Sequence, residues 1–409
     1  MKMIYYGWII VGVGVLVKMA GLGFGRFAYP MLLPSMRESL RFSYIEMGLL
    51  SGGILVGYLL FSLIGGILAT RFGSKRIVVT SLLCGTISMF FMGRLSEFIP
   101  LLFFTFAMGG SGGGAHISMT TLPMTWFERE RLGGALGIVT GGTGLGIIIT
   151  GLLLPYLLST LGREAWRECW ILLALLTLLV GLISFILLKE RPAHQETPLS
   201  QVGSGSSSGS VKVVGSSLAL PAVFLIYFIF GLAYNIYVTY YVAFLIDEVK
   251  LSKEVAGAIW SIFGWICLVS GWIWGFLSDR MGRREALLWN NGLISLSVLI
   301  PLMFHQTFLL GLSAFLFGAT FLGMVTVIAA CVSDRGMEKR AALYGWVTLI
   351  HGIGQFLGTL LGGYLRDLTG SFQLTLFISL IGFLVCVVLT AISPLPLSLL
   401  GRGKGGEGG

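Results

Sequence analysis

What most constrains this chain is a recurring run of apolar residues, each near the roughly 20 residues a helix needs to cross the hydrocarbon core of a bilayer. LLALLTLLVGLISFILL, from Leu172 to Leu188, is one such run. Twelve can be marked, over residues 6–34, 45–69, 77–93, 99–123, 132–158, 168–188, 218–246, 255–277, 286–303, 307–332, 340–365 and 371–392. None shows the two-residue alternation of a membrane β-strand. The expectation is an all-α membrane protein of twelve transmembrane helices. Composition agrees, because 56% hydrophobic and only 11% charged residues cannot clothe soluble domains of this size. The first run is too long for a signal peptide's apolar core and is expected to remain as a span.

In a soluble chain a net charge of +9 would suggest nucleic acid as a partner, but here it orients the spans. With the N-terminus inside, the inward loops hold about twice as many Lys and Arg as the outward ones, which predicts both termini in the cytoplasm of an inner-membrane protein. The five cysteines, Cys84, Cys169, Cys267, Cys331 and Cys386, show no paired spacing and no accompanying histidine cluster, so they read as packing residues and no metal or cofactor is expected. The one long polar stretch includes GSGSSSGS at 203–210, a composition that makes flexible coil. It divides the chain into a six-helix half at 1–188, a cytoplasmic linker at 189–217, a second six-helix half at 218–392 and a tail at 393–409.

The halves echo one another. GILATRFGSKR, starting at Gly66, returns as GFLSDRMGRRE, starting at Gly275, and Gly137, Gly144 and Gly146 return as Gly345, Gly352 and Gly354. Parallel six-span repeats are a transporter signature. The loop pattern G-x-L-x-D-R-x-G-R-R, complete at Gly275 to Arg284, resembles that of the major facilitator superfamily, and the resemblance extends over essentially the whole chain. GFGRFAYPMLLPSM from Gly23 is similar to the opening of the YbfB/YjiJ-type group, and WFERERLGGALGIVTGGTGLG from Trp126 is similar to oxalate/formate and monocarboxylate transporters. The resemblance implies secondary transport by alternating access and assigns conformational control to Asp279, Arg280, Gly282, Arg283 and Arg284, with Arg71 and Gly73 in the first copy. There Thr70 stands in place of the acid, so the first loop is expected to lack a charged latch.

Ionisable residues within a span cost about 2.5 to 3.5 kcal/mol each on insertion scales, which makes the few present candidates for function. Lys18 and Arg26 lie in the first span, His116 in the fourth and His351 in the eleventh, while every Asp and Glu can be placed at a span end or in a loop. On one helix the two cations would stand about 12 Å apart and border one site. Two cations without an acidic partner suit a small carboxylate as substrate, with Arg26 the better clamp and Lys18 free to snorkel toward the cytoplasm. The alternative is that both hydrogen-bond carbonyls freed where Gly21, Gly23, Gly25 and Pro30 break the helix. The resemblance further implies that spans one, four, seven and ten line a central cavity, adding His116, Tyr234, Asn235, Tyr237 and Tyr241 as substrate-binding candidates. Tyr241 also reads as a member of an outer aromatic belt, and Asn235 as an interhelical hydrogen-bonding amide. His116 and His351 are the candidates for proton coupling, His116 first, since histidine titrates near neutrality; His351 sits among glycines where close packing is the competing role.

The leading expectation is therefore a proton-linked carrier of a small organic anion, acting as a monomer in lipid. A drug exporter is the alternative, although Thr105 and Met108 stand where such exporters carry an arginine and Gly141-Gly142 replaces their Gly-Pro pair. A membrane receptor that binds without transport is a lesser one. No nucleophile, base and cofactor motif assemble into an enzyme site.

Overall fold

A computed structural model describes residues 2–162, 164–190, 219–333 and 340–393. The expected linker falls almost wholly, and the expected tail nearly wholly, outside the described residues. Those described form helices and no strands: α1 (Lys2–Lys18), α2 (Tyr29–Leu40), α3 (Tyr44–Phe72), α4 (Ser74–Met92), α5 (Phe98–Thr121), α6 (Arg129–Thr160), α7 (Ala165–Leu187), α8 (Ala219–Ala243), α9 (Lys253–Met281), α10 (Arg283–Met303), α11 (Thr307–Ser333), α12 (Arg340–Thr369) and α13 (Gln373–Ile392). With α1 and α2 forming one interrupted pass, they make twelve passes. Eleven are long and apolar enough to span a membrane. The exception is α12, whose 30 residues include His351, Gln355 and a series of glycines.

The first pass breaks where glycines and a proline cluster. A π-helical turn, Met19–Phe24, follows α1, and backbone bonds from Gly25 to Ala20 and from Phe27 to Leu22 carry the chain toward α2. Pro30 lacks an N–H and its ring would crowd the Arg26 carbonyl of a continuous helix, so the chain restarts there. Arg26 is thereby placed in the loosened turn rather than on a regular helix face.

The packing is duplicated. In the first six passes α3 lies on α5, α1 on α6, and α4 against α5 and α7; in the second six α9 lies on α11, α8 on α12, and α10 against α11 and α13. The most extensive pairings between the sets are α6 with α9 and α12 with α3, and α2 also meets α8. The first two pairs touch backbone to backbone. A Cβ on Gly257 would meet the Gly151 carbonyl oxygen at 2.2 Å, and one on Gly48 would meet that of Thr359 at 2.6 Å. Glycine is required at both because the helices approach closer than any side chain permits.

The helix ends at Lys2, Phe72, Ser74, Met281 and Ile392 share one face, called here the terminal face. Tyr44, Glu248, Lys253, Thr369 and Gln373 lie on the other. The Gly257 and Gly48 contacts lie in the half toward that opposite face. Toward the terminal face the bundle loosens, with open space beside Gly133, Gly134, Gly137 and Gly345. In α3 the residues from Met47 to Gly57 are mostly buried, whereas Leu60, Phe61, Leu63, Ile64 and Ile67 are exposed.

Candidate functional site

Arg26 is half-buried at the centre of the bundle. Its Nη2 donates to the Tyr234 hydroxyl on α8 at 3.2 Å and to Gln355 Oε1 on α12 at 2.7 Å, so a first-half cation is held by two neutral groups of the second half. Its Cζ stands 5.4 Å from the Phe27 ring centroid and 5.8 Å from that of Tyr58 on α3. Tyr234 stacks on Phe321 of α11 with ring centroids 4.8 Å apart, and Phe27 faces Phe263 and Phe321. Among the described residues no carboxylate pairs with Arg26. A guanidinium walled by aromatic rings and held from one side by neutral oxygens is suited to receive an anion from the other.

A second cluster lies one helical turn or two away toward the terminal face. Lys18 is 1% exposed, and its Nζ meets His116 Nδ1 at 2.8 Å, the His116 carbonyl at 3.0 Å and Thr120 Oγ1 at 2.9 Å, all on α5. The expectation that Lys18 snorkels toward water is therefore corrected. It crosses to the neighbouring helix because His116 and Thr120, four residues apart, present their polar atoms on the face of α5 that packs on α1. The interruption after Lys18 likewise removes the single regular helix on which it and Arg26 were placed 12 Å apart.

This frame of twelve helices around a central cation invites comparison with known proteins. A family model described as "Uncharacterised MFS-type transporter YbfB" matches residues 18–391. The chain belongs to this family of the major facilitator superfamily. It is a membrane transporter of a small molecule, as are its relatives, and not an enzyme. It is similar to the hexuronate transporter of Bacillus subtilis (strain 168), 25% identical over 379 residues that cover 85% of each chain. It is also similar to a putative tartrate transporter of Agrobacterium vitis, 24% identical over 397 residues that cover 88% of this chain and 84% of the relative. The fold matches the crystal structure of a bacterial homolog of the human lysosomal transporter Spinster, inward-facing and occupied, with a TM-score of 0.77 at 15% identity over 95% of this chain and 97% of that one.

Within this major facilitator fold the remaining candidates fall in different places. Asn235 Nδ2 donates to the Gln355 carbonyl at 3.3 Å, which makes it an interhelical bond beside the Arg26 cluster. The Tyr237 hydroxyl and Ser313 Oγ lie 2.7 Å apart, and the Tyr241 hydroxyl donates to the Leu310 carbonyl at 2.7 Å. Tyr241 is fully buried, which corrects the aromatic-belt reading: the pass continues through a π-helical turn, Phe244–Glu248, and leaves Tyr241 well inside. His351 has Nδ1 3.0 Å from the Tyr227 carbonyl, and its ring stacks on Tyr227 with centroids 4.0 Å apart.

The loop motif sits on the terminal face. Gly73 and Gly282 turn the chain at φ of 92° and 95°, where a side chain would be strained. Asp279 accepts from Arg283 Nη1 at 2.5 Å, Arg280 lies over the Phe276 ring, and Arg284 donates to the carbonyls of Thr390 and Ala391 at the end of α13. In the first copy Arg71 lies over Phe72, and a carboxylate is present after all: Glu190, just past α7, accepts from the Lys75 backbone N–H at 2.9 Å on the α4 N-terminus.

Sequence reasoning also missed Gln355 and a network on the opposite face. Asp367 accepts from the backbone N–H groups of Tyr44 and Ile45 at 3.0 and 2.8 Å, and the Tyr44 hydroxyl donates to Asp247. Arg37 stacks 4.1 Å over the Tyr44 ring, and Arg366 lies 5.0 Å from it. A carboxylate on a helix N-terminus is favourable, and this one joins α12 to α3 across the two halves.

Proposed function

We propose that the protein carries a small organic anion with a carboxylate group across the inner membrane, as a monomer, with both termini in the cytoplasm and transport linked to protons. The observation that carries this reading is Arg26, a central cation that reaches both halves and is met there only by neutral oxygens. An arriving carboxylate would take the other edge of the guanidinium while Nη2 stays on Tyr234 and Gln355. The anion would then touch groups from both halves, as alternating access around a central site requires. The names of the relatives, a hexuronate and a tartrate transporter, support the same chemical class. With the termini inside, the loosened terminal face is cytoplasmic, so the arrangement described is open inward.

The test is uptake of radiolabelled D-glucuronate, D-galacturonate and L-tartrate into proteoliposomes under an inward proton gradient. Saturable uptake of one of them, reduced about a hundredfold in Arg26→Ala, is the expected result, since stranding a buried charge partner costs about 3 kcal/mol. No uptake of any, together with dye efflux indifferent to Arg26, would replace this reading with that of an exporter.

A further inference from the structure

Lys18 and His116 are placed too closely to act separately. We infer that they form one proton-binding site, which loads a single proton when an anion occupies Arg26 and empties when the anion leaves. This rests on the anion reading above and adds where the coupled proton resides.

The geometry counts protons. An ammonium has three N–H bonds, and Lys18 Nζ has three acceptors within 3.0 Å: His116 Nδ1, the His116 carbonyl and Thr120 Oγ1. The Thr120 hydroxyl spends its own proton on the His116 carbonyl at 2.7 Å, so its oxygen is free to accept. With Lys18 charged, His116 Nδ1 must be bare. A second proton on that nitrogen would set two cations 2.8 Å apart in a buried site, so the pair holds one positive charge at most. His351 is arranged the other way: its Nδ1 faces the Tyr227 carbonyl, which only accepts, so that nitrogen keeps its hydrogen.

The surroundings leave Arg26 to control the pair. From α3 comes Tyr58, edge-on to the imidazole with centroids 6.0 Å apart, and Arg26 Cζ lies 5.8 Å from the centre of that same ring. Neither α6 between Leu132 and Pro155 nor α7 between Trp170 and Leu187 carries a titratable residue where they pack on α1. An unneutralised Arg26 beyond the Tyr58 ring, within about 12 Å of the imidazole, disfavours charge on the pair by about tenfold, and a bound carboxylate cancels that field. By reciprocity the loaded proton tightens the anion by the same factor. Loaded with anion and proton, or empty of both, the site carries the same charge, so neither form bears an extra charge as the halves rock. The step moves one proton from water to the lone pair of the pair's nitrogen and back, and breaks no other bond.

The experiment separates exchange from accumulation, using radiolabelled D-glucuronate and L-tartrate in proteoliposomes. Counterflow, in which internal unlabelled anion exchanges for external label, needs the anion site but no net proton movement. Accumulation driven by an inward proton gradient needs both. For Lys18→Met and His116→Gln the expected result is counterflow at saturating anion within about threefold of wild type with accumulation abolished; retained exchange also shows that the variant is folded. Gradient-driven accumulation in Lys18→Met at the wild-type level overturns the inference while leaving the anion reading intact. Loss of counterflow in both variants overturns it as well, by making the pair part of the anion site or of the packing. If wild type exchanges neither anion, the anion reading fails and this inference fails with it.

Discussion

The two halves share a scaffold but not a chemistry. Their helices pack in the same pairs, and Arg26 and Tyr234, which touch at the centre, are separated by the same 208 positions that relate Gly137 to Gly345. Yet the first half supplies the cations, Lys18 and Arg26, while the second supplies neutral partners, Tyr234, Gln355 and a carbonyl-bound His351. Duplication fixes where the helices meet, and divergence at equivalent positions fixes what happens there. On the proposed reading that difference would suit a carrier of anions, with a charge on one half to read the substrate and uncharged hydrogen-bonding groups on the other to close over it without competing for it.

The largest break in that comparison comes from giving the second half a charge. Gln355→Glu puts a carboxylate at the 2.7 Å position beside Arg26, where it would form an internal ion pair and occupy the cation. Uptake is expected to fall about a hundredfold, through competition worth about 3 kcal/mol. Gln355→Leu, which removes a bond without adding a competitor, should cost far less. Equal loss in the two variants, measured as uptake at saturating gradient, would mean that the amide itself is needed and would defeat the competition argument.

A second difference lies between the faces. The opposite face is joined by Asp367 on the α3 N-terminus, whereas near the terminal face the loop contacts of Asp279, Arg284 and Glu190 stay within one half. Asp367→Asn keeps the shape and removes the charge, and is expected to favour opening of that face by about fivefold, since carboxylate caps contribute about 1 kcal/mol. Spin labels at Glu97 and His305, both exposed on that face, would report the distance between halves. An unchanged distance distribution would assign Asp367 to local capping alone.

The passes and the central cation were legible in the sequence because each depends on a local property. An apolar run of sufficient length declares a span by itself, and Arg26 declares itself by interrupting one. Gln355 did not, since a neutral amide within HGIGQFLG is unremarkable until the fold sets it 2.7 Å from a guanidinium 329 positions away. The pairing of Lys18 with His116 was hidden for the same reason, although both residues stood out singly: hydropathy carries no information on the register of one helix against another. Glu190 was missed because Thr70 marks where the motif's acid is absent, and only the turn after α7 brings a substitute to the neighbouring helix end.

The smallest expected effect concerns the pair that best expresses the repeat. Tyr234→Phe removes one long hydrogen bond to Arg26, 3.2 Å, and keeps the ring stacked on Phe321. One such bond contributes about 0.7 kcal/mol net, so the Michaelis constant for the transported anion should rise about threefold with little change in maximal rate. A fall in maximal rate at constant Michaelis constant would give Tyr234 a different part. The hydroxyl would then matter when the halves move rather than when the anion binds, and the contact at equivalent positions of the repeat would be a hinge point instead of one wall of the site.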